Sequence, residues 1–115
     1  MNRPDTLAPI YPGEVLKEDF LEPLGISMNQ LSRDIDVPAN RISEIVNGKR
    51  GITADTALRL ERYFGVEAGF WLNLQTEFDL RTAKQKIGAE IKKRIVPASR
   101  IGRGLSRQAG ALPGN

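Results

Sequence analysis

Residues 27–50 read SMNQLSRDIDVPANRISEIVNGKR, and this stretch decides the fold. Ser27-Met28-Asn29-Gln30 is a capping-box sequence, in which the Ser hydroxyl and the Gln side chain can satisfy two orphan backbone donors at a helix start. The helix begun there carries Leu31 and Ile35 as its buried stripe, and Asp36-Val37-Pro38 breaks it. A second short helix is expected from Pro38 to about Val46, with Asn47-Gly48 as its stop. The pattern is two short helices flanking a tight turn.

The flanks continue the helical rhythm. Upstream, the first ten residues hold two prolines among small and polar residues and read as an extended arm leading to Pro12-Gly13. A helix from there to about Glu22 has Val15, Leu16, Phe20 and Leu21 near helical spacing, and Pro23 followed by Gly25 is expected to end it. Downstream, Thr53 is a plausible N-cap for a helix with Ala57, Leu58, Leu60 and Phe64 that stops at Gly65. From Ala68 one long helix is expected, bent or frayed near Gly88 and over by Pro97 at the latest. Residues 98–115 mix Gly, Ser, Arg and Pro without periodicity and read as a flexible tail. The expected organisation is an arm over 1–10, one helical domain over 11–84, a helical extension over 85–97 and the tail over 98–115.

Composition narrows the function. A chain of 115 residues can bury one modest core. With no Cys and no His it lacks thiol chemistry, the usual zinc ligands and the commonest general base, and no carboxylate cluster suggests a hard-cation site. No catalytic residue, metal or cofactor is assigned, because nothing pairs a nucleophile with a base. No signal-peptide h-region or membrane span is visible, so a cytoplasmic protein is expected. The net charge of +3 suits an anionic partner without identifying one.

The helix after the turn carries the chemistry. At about 100° per residue, Ile42, Ile45 and Val46 gather on one side, and Asn40, Ser43, Glu44 and Asn47 on the other. Such a face is common on small helical proteins, but these residue types also suit DNA. Asn40 can bond adenine at two points, Arg41 can reach guanine or phosphate, and Glu44 can accept from cytosine. Ala39 and Ser43 are small enough for close approach or a thymine-methyl contact. These residues lie at the helix start, which is the end a recognition helix presents to the groove. Ala39, Asn40, Arg41, Ser43, Glu44 and Asn47 are therefore assigned to bases. Ser27, Asn29, Lys49 and Arg50 are assigned to the DNA backbone.

Three segments, PGEVLKEDFLEPLGIS, VPANRISEIVNGKRGITADTALRLERYFG and FWLNLQTEFDLRTA, resemble the Xre-like helix-turn-helix superfamily and, within it, the HigA-type antitoxins. The likeness covers about residues 11–84 and lies in the order and spacing of the elements. It implies an all-α, compact, five-helix lambda-repressor-like domain, here with a C-terminal helical extension. In that frame Met28 to Asp34 is the supporting helix and Ala39 to Asn47 the recognition helix. The resemblance further implies binding of double-stranded operator DNA as a homodimer, autorepression, and neutralisation of a HigB-type ribonuclease toxin. The sequence departs from the pattern at Met28, where Gln is common, at Ser32, where Ala is common, and at Asp36, where Gly is common. Asp tolerates left-handed turn geometry better than most residues. Tyr11 stands where many HigA chains have His, and no role is assigned to it.

Phe70, Trp71, Leu74 and Phe78 read as core or dimer seam rather than as a ligand pocket. Leu80, Ala83, Ile87, Ile91 and Ile95 form a stripe between charges, which fits a solvated helix, a longer dimer interface or a toxin-covering surface equally well. Arg100, Arg103 and Arg107 read as part of a solubilising tail, with non-specific phosphate contacts as the alternative. A stand-alone Xre-family regulator without a toxin is the alternative function, and a protein-interaction module that has lost DNA is a third.

Overall fold

Proline 12 begins the first helix. Its missing N–H is not needed in a first turn, and Tyr11, in extended conformation, precedes it. The computed structural model describes residues 9–100, and over these the chain is all-helical. The first helix, α1, covers residues 12–24 in three parts: an α start Pro12–Val15, a π segment Leu16–Leu21 and a last α turn Glu22–Leu24. This helix was expected to reach about Glu22, with Pro23 followed by Gly25 ending it; it runs on to Leu24 through Pro23. A π turn ahead of it, closed by Glu22 N–H on the Lys17 carbonyl, widens the spiral where the Pro23 ring would press on the preceding turn. Gly25 at φ +68° is the actual stop.

Next come α2 (Met28–Asp34), α3 (Ala39–Val46), α4 (Ala54–Phe64) and α5 (Ala68–Arg94). Ser27 accepts from the Gln30 N–H at 3.0 Å and Thr53 from the Thr56 N–H at 3.5 Å, so both expected N-caps are in place. Three helices end in the same Schellman closure. After α1, Ile26 N–H reaches the Leu21 carbonyl; after α2, Val37 reaches Ser32; after α3, Lys49 reaches Glu44. Each closure needs one left-handed residue, and these are Gly25, Asp36 at φ +60° and Gly48 at φ +76°.

Contacts divide the chain into two units, residues 1–82 and 83–115. The core belongs to the first. Leu16, Leu31, Ile42, Ile45, Leu60 and Trp71 are completely buried, each contributing on the order of 1.5–3 kcal/mol. Trp71 sits with Phe20 at 4.9 Å and Phe70 at 5.0 Å between ring centroids. It is a core residue, whereas Phe70 is 38% exposed and Leu74 and Phe78 are half-buried. The second unit begins within α5, which is unbroken through Gly88 and ends at Arg94, three residues short of Pro97. Pro97 disfavours helix at the residue before it. A short 3-10 turn, Ala98–Arg100, follows in a stretch read as tail. The arm over 1–8, and Arg103 and Arg107 of the tail, lie outside the described residues.

Candidate nucleic-acid interface

The turn between α2 and α3 sets the geometry of the site. Val37 N–H closes on Ser32, Asp36 takes the left-handed conformation, and Pro38 in extended conformation starts α3. Ser32 is buried, and its hydroxyl donates back to the Asn29 carbonyl at 3.0 Å. The extra oxygen is thereby satisfied without a partner outside the helix.

Helix α3 buries Ile42, Ile45 and Val46 and leaves the opposite side to solvent. Its hold on the body is close. A Cβ on Gly13 of α1 would come within 1.8 Å of the Ile45 carbonyl oxygen, so only glycine permits this crossing. On the solvent side the side chains of Asn40, Glu44 and Arg50 form a chain. Asn40 Nδ2 donates to Glu44 Oε2 at 3.2 Å, and Arg50 Nε donates to Glu44 Oε1 at 2.8 Å. Ser43 donates its hydroxyl to the Asn40 carbonyl at 3.1 Å. Glu44 thus holds a candidate base reader and a candidate phosphate contact in one connected group.

The other assigned residues are placed as follows. Ala39 and Asn47 are exposed at the two ends of α3. Ser27 is committed to the α2 cap, and Asn29, two residues on in the first turn, is exposed. Lys49 is exposed, with its backbone N–H used to close α3. Arg41 is different: its guanidinium pairs with Asp55 of α4 at 3.2 Å, and its Nε is buried without a partner. In this structure Arg41 is directed to the α4 N-terminus rather than joined to the Asn40–Glu44–Arg50 group.

Several residues that shape the site were not singled out by sequence. Arg59 of α4 donates to the Ile35 and Asp36 carbonyls at 2.8 and 3.0 Å while pairing with Asp55 at 3.1 Å. Tyr63 donates its hydroxyl to Asp34 at 2.6 Å. That bond raises the tyrosine pKa above its ordinary value, because the phenol proton is held by a carboxylate. Asp55, Arg59 and Tyr63 recur every four residues on one face of α4, and that period was visible in the sequence. What they clamp is the end of α2 and the turn, which only the fold reveals. Tyr11 also has a place, packing edge-on against Phe78 at 6.1 Å and lying beside Gly48. Gln75 of α5 accepts from the Ile52 N–H at 2.8 Å, tying the α3–α4 loop to the last helix.

Among the described residues no group of three or more His, Cys, Asp or Glu side chains is placed to hold a metal ion. No helix among them is long and apolar enough to cross a membrane.

Comparison with known proteins matches residues 17–71 to the helix-turn-helix family. Virulence-associated protein I of Dichelobacter nodosus is 55% identical over 76 residues, covering 66% of this chain and 70% of that protein. Antitoxin HigA-1 of Vibrio cholerae is 37% identical over 84 residues, covering 73% and 79% of the two chains. The solved structure of the Pseudomonas aeruginosa antitoxin HigA with the higBA promoter superposes with a TM-score of 0.76 at 46% identity. It covers 77% of this chain and 97% of that one.

Proposed function

Because the chain belongs to the HigA-type antitoxins of the Xre-like helix-turn-helix family, we propose that it binds double-stranded operator DNA as a homodimer and represses its own operon. The observation that carries this reading is α3. Three buried aliphatic residues fix its inner face, and Asn40, Glu44 and Arg50 form a connected polar group on its outer side. On DNA these side chains exchange partners. Asn40 and Glu44 turn to base edges, each good pairing worth about 1–3 kcal/mol of discrimination, and Arg50 joins Lys49 on phosphate. Ala39, Ser43 and Asn47 complete the reading face, and Ser27 and Asn29 contact the backbone at the start of α2. Arg41 joins them only when it leaves Asp55. The second activity is that of an antitoxin, neutralising a HigB-type ribonuclease in the cytoplasm.

The fold supports a dimer because one short recognition helix reads few base pairs and two-fold symmetry doubles the site. Phe70, exposed in a single chain although it packs edge-to-face against Trp71, belongs to the surface such a dimer would cover. The experiment is binding of the full-length protein to the duplex upstream of its own gene and to a scrambled duplex, at two salt concentrations. A preference of about a thousandfold or more is expected. Equal, weak and salt-sensitive binding to both duplexes would reject operator recognition. Restored growth on co-expression with the ribonuclease of its own operon is expected of the antitoxin activity. Unrelieved toxicity would leave a stand-alone regulator.

A further inference from the structure

Charge is divided unevenly between the two units. Residues 9–82 hold eight basic and twelve acidic side chains, a net charge of −4. Residues 83–94, the last three turns of α5, hold Lys84, Lys86, Lys92, Lys93 and Arg94 against the single acid Glu90, a net charge of +4. All five basic side chains are exposed, and only Arg94 is drawn to Glu90, at 3.3 Å. The sequence beyond continues the sign, with Arg100, Arg103 and Arg107 and no acid. The unit bearing the recognition helix is thus acidic, and two of the basic groups near that helix, Arg41 and Arg50, are already paired with Asp55 and Glu44.

An acidic body approaching a polyanion is repelled at long range, and phosphate neutralisation supplies most of the sequence-independent affinity for DNA. We propose that the basic end of α5 is a second DNA contact, which binds phosphates flanking the operator and adds to the small electrostatic share of affinity that Lys49 and Arg50 supply. This rests on the operator-binding reading above. Covalent attachment keeps these charges near the duplex once α3 is docked, so individually weak contacts add to one binding event. A lipid surface fits less well. Lys84 and Arg94 stand beside Ile91 and Ile87 on the helical wheel and interrupt the clean apolar face that interfacial helices present.

The test compares the full-length protein with full-length K84Q/K86Q/K92Q/K93Q, and with K84R/K86R/K92R/K93R as a control that keeps the charge. Affinity is measured for operator and scrambled duplexes across a salt series. The Gln variant should lose about tenfold or more at low salt, equally on both duplexes, and the gap should close as salt rises. Its slope of log affinity against log salt should be shallower by about 0.9 for each phosphate contact removed. The Arg control should match the parent. An unchanged slope in the Gln variant, or an altered base preference, would overturn the inference. So would retention of the parent alone on phosphatidylglycerol vesicles with DNA binding untouched. If the parent prefers the operator but its slope equals that of the Gln variant, only this contact fails. If the parent shows no operator preference, the operator-binding reading itself fails.

Discussion

Gly13 and Asp36 show how much a single backbone position decides. Gly13→Ala places a methyl group against the Ile45 carbonyl, so it should destabilise by about 1–3 kcal/mol or more in urea titrations, through the α1–α3 crossing. Asp36 holds the left-handed position that α2 needs to close, and Asp36→Gly should exceed Asp36→Ala in stability by about 1 kcal/mol by the same measurement. The left-handed turn at Asp36 was legible from the residue type and its place before Val37-Pro38. The demand on Gly13 was not, because what its missing side chain makes room for lies some thirty residues away in sequence. Tyr63 makes a prediction with pH. Its folded pKa is raised by Asp34, so the bond's contribution is fully present below the ordinary tyrosine pKa and is lost as pH rises through the folded value. In Asp34→Ala, tyrosinate absorbance should therefore develop at lower pH than in the parent.

At the scale of the element, caps and stops were the most readable features. Ser27, Thr53, Gly48 and Gly65 sit where local rules put them, since a cap bond spans only three or four residues. The π segment escaped because proline is ordinarily a stop, and a widened turn that carries the helix past Pro23 leaves no mark in the hydrophobic pattern. The clamp from α4 was legible only as a period of four. Arg59→Ala removes both hydrogen bonds that hold the Ile35 and Asp36 carbonyls, and it should cost about 1–2 kcal/mol in stability. Arg59→Lys should recover only part of that loss, because an ammonium cannot reproduce the fork that reaches two carbonyls and Asp55 at once. Urea unfolding of the two variants checks both statements.

For the whole molecule, the polar outer face of α3 could be read from sequence as a set of residues, but not as a connected group. The wheel placed Asn40, Ser43, Glu44 and Asn47 together, whereas the pairing of Glu44 with Arg50, and of Arg41 with Asp55, depends on how the α3–α4 loop and α4 fold back. Aromatic spacing marked Phe70, Trp71, Leu74 and Phe78 together as core or dimer seam, and burial assigns Trp71 to the core. Its neighbours Phe70 and Leu74 stay partly exposed. Two predictions belong at this scale. Sedimentation equilibrium should give a dimer, and Lys49→Ala should weaken binding to all duplexes alike with a shallower salt slope.

The most direct measurement is selection of duplexes from a randomised library by the parent protein and by Asn40→Ala in parallel. The parent should recover an inverted repeat with half-sites about 34–36 Å apart or a multiple of that spacing, and Asn40→Ala should lose base preference at one symmetric pair of positions while keeping the rest. Recovery of no repeat by the parent, or the same preferences from both proteins, would contradict the assignment of the outer face of α3 as the surface that reads DNA.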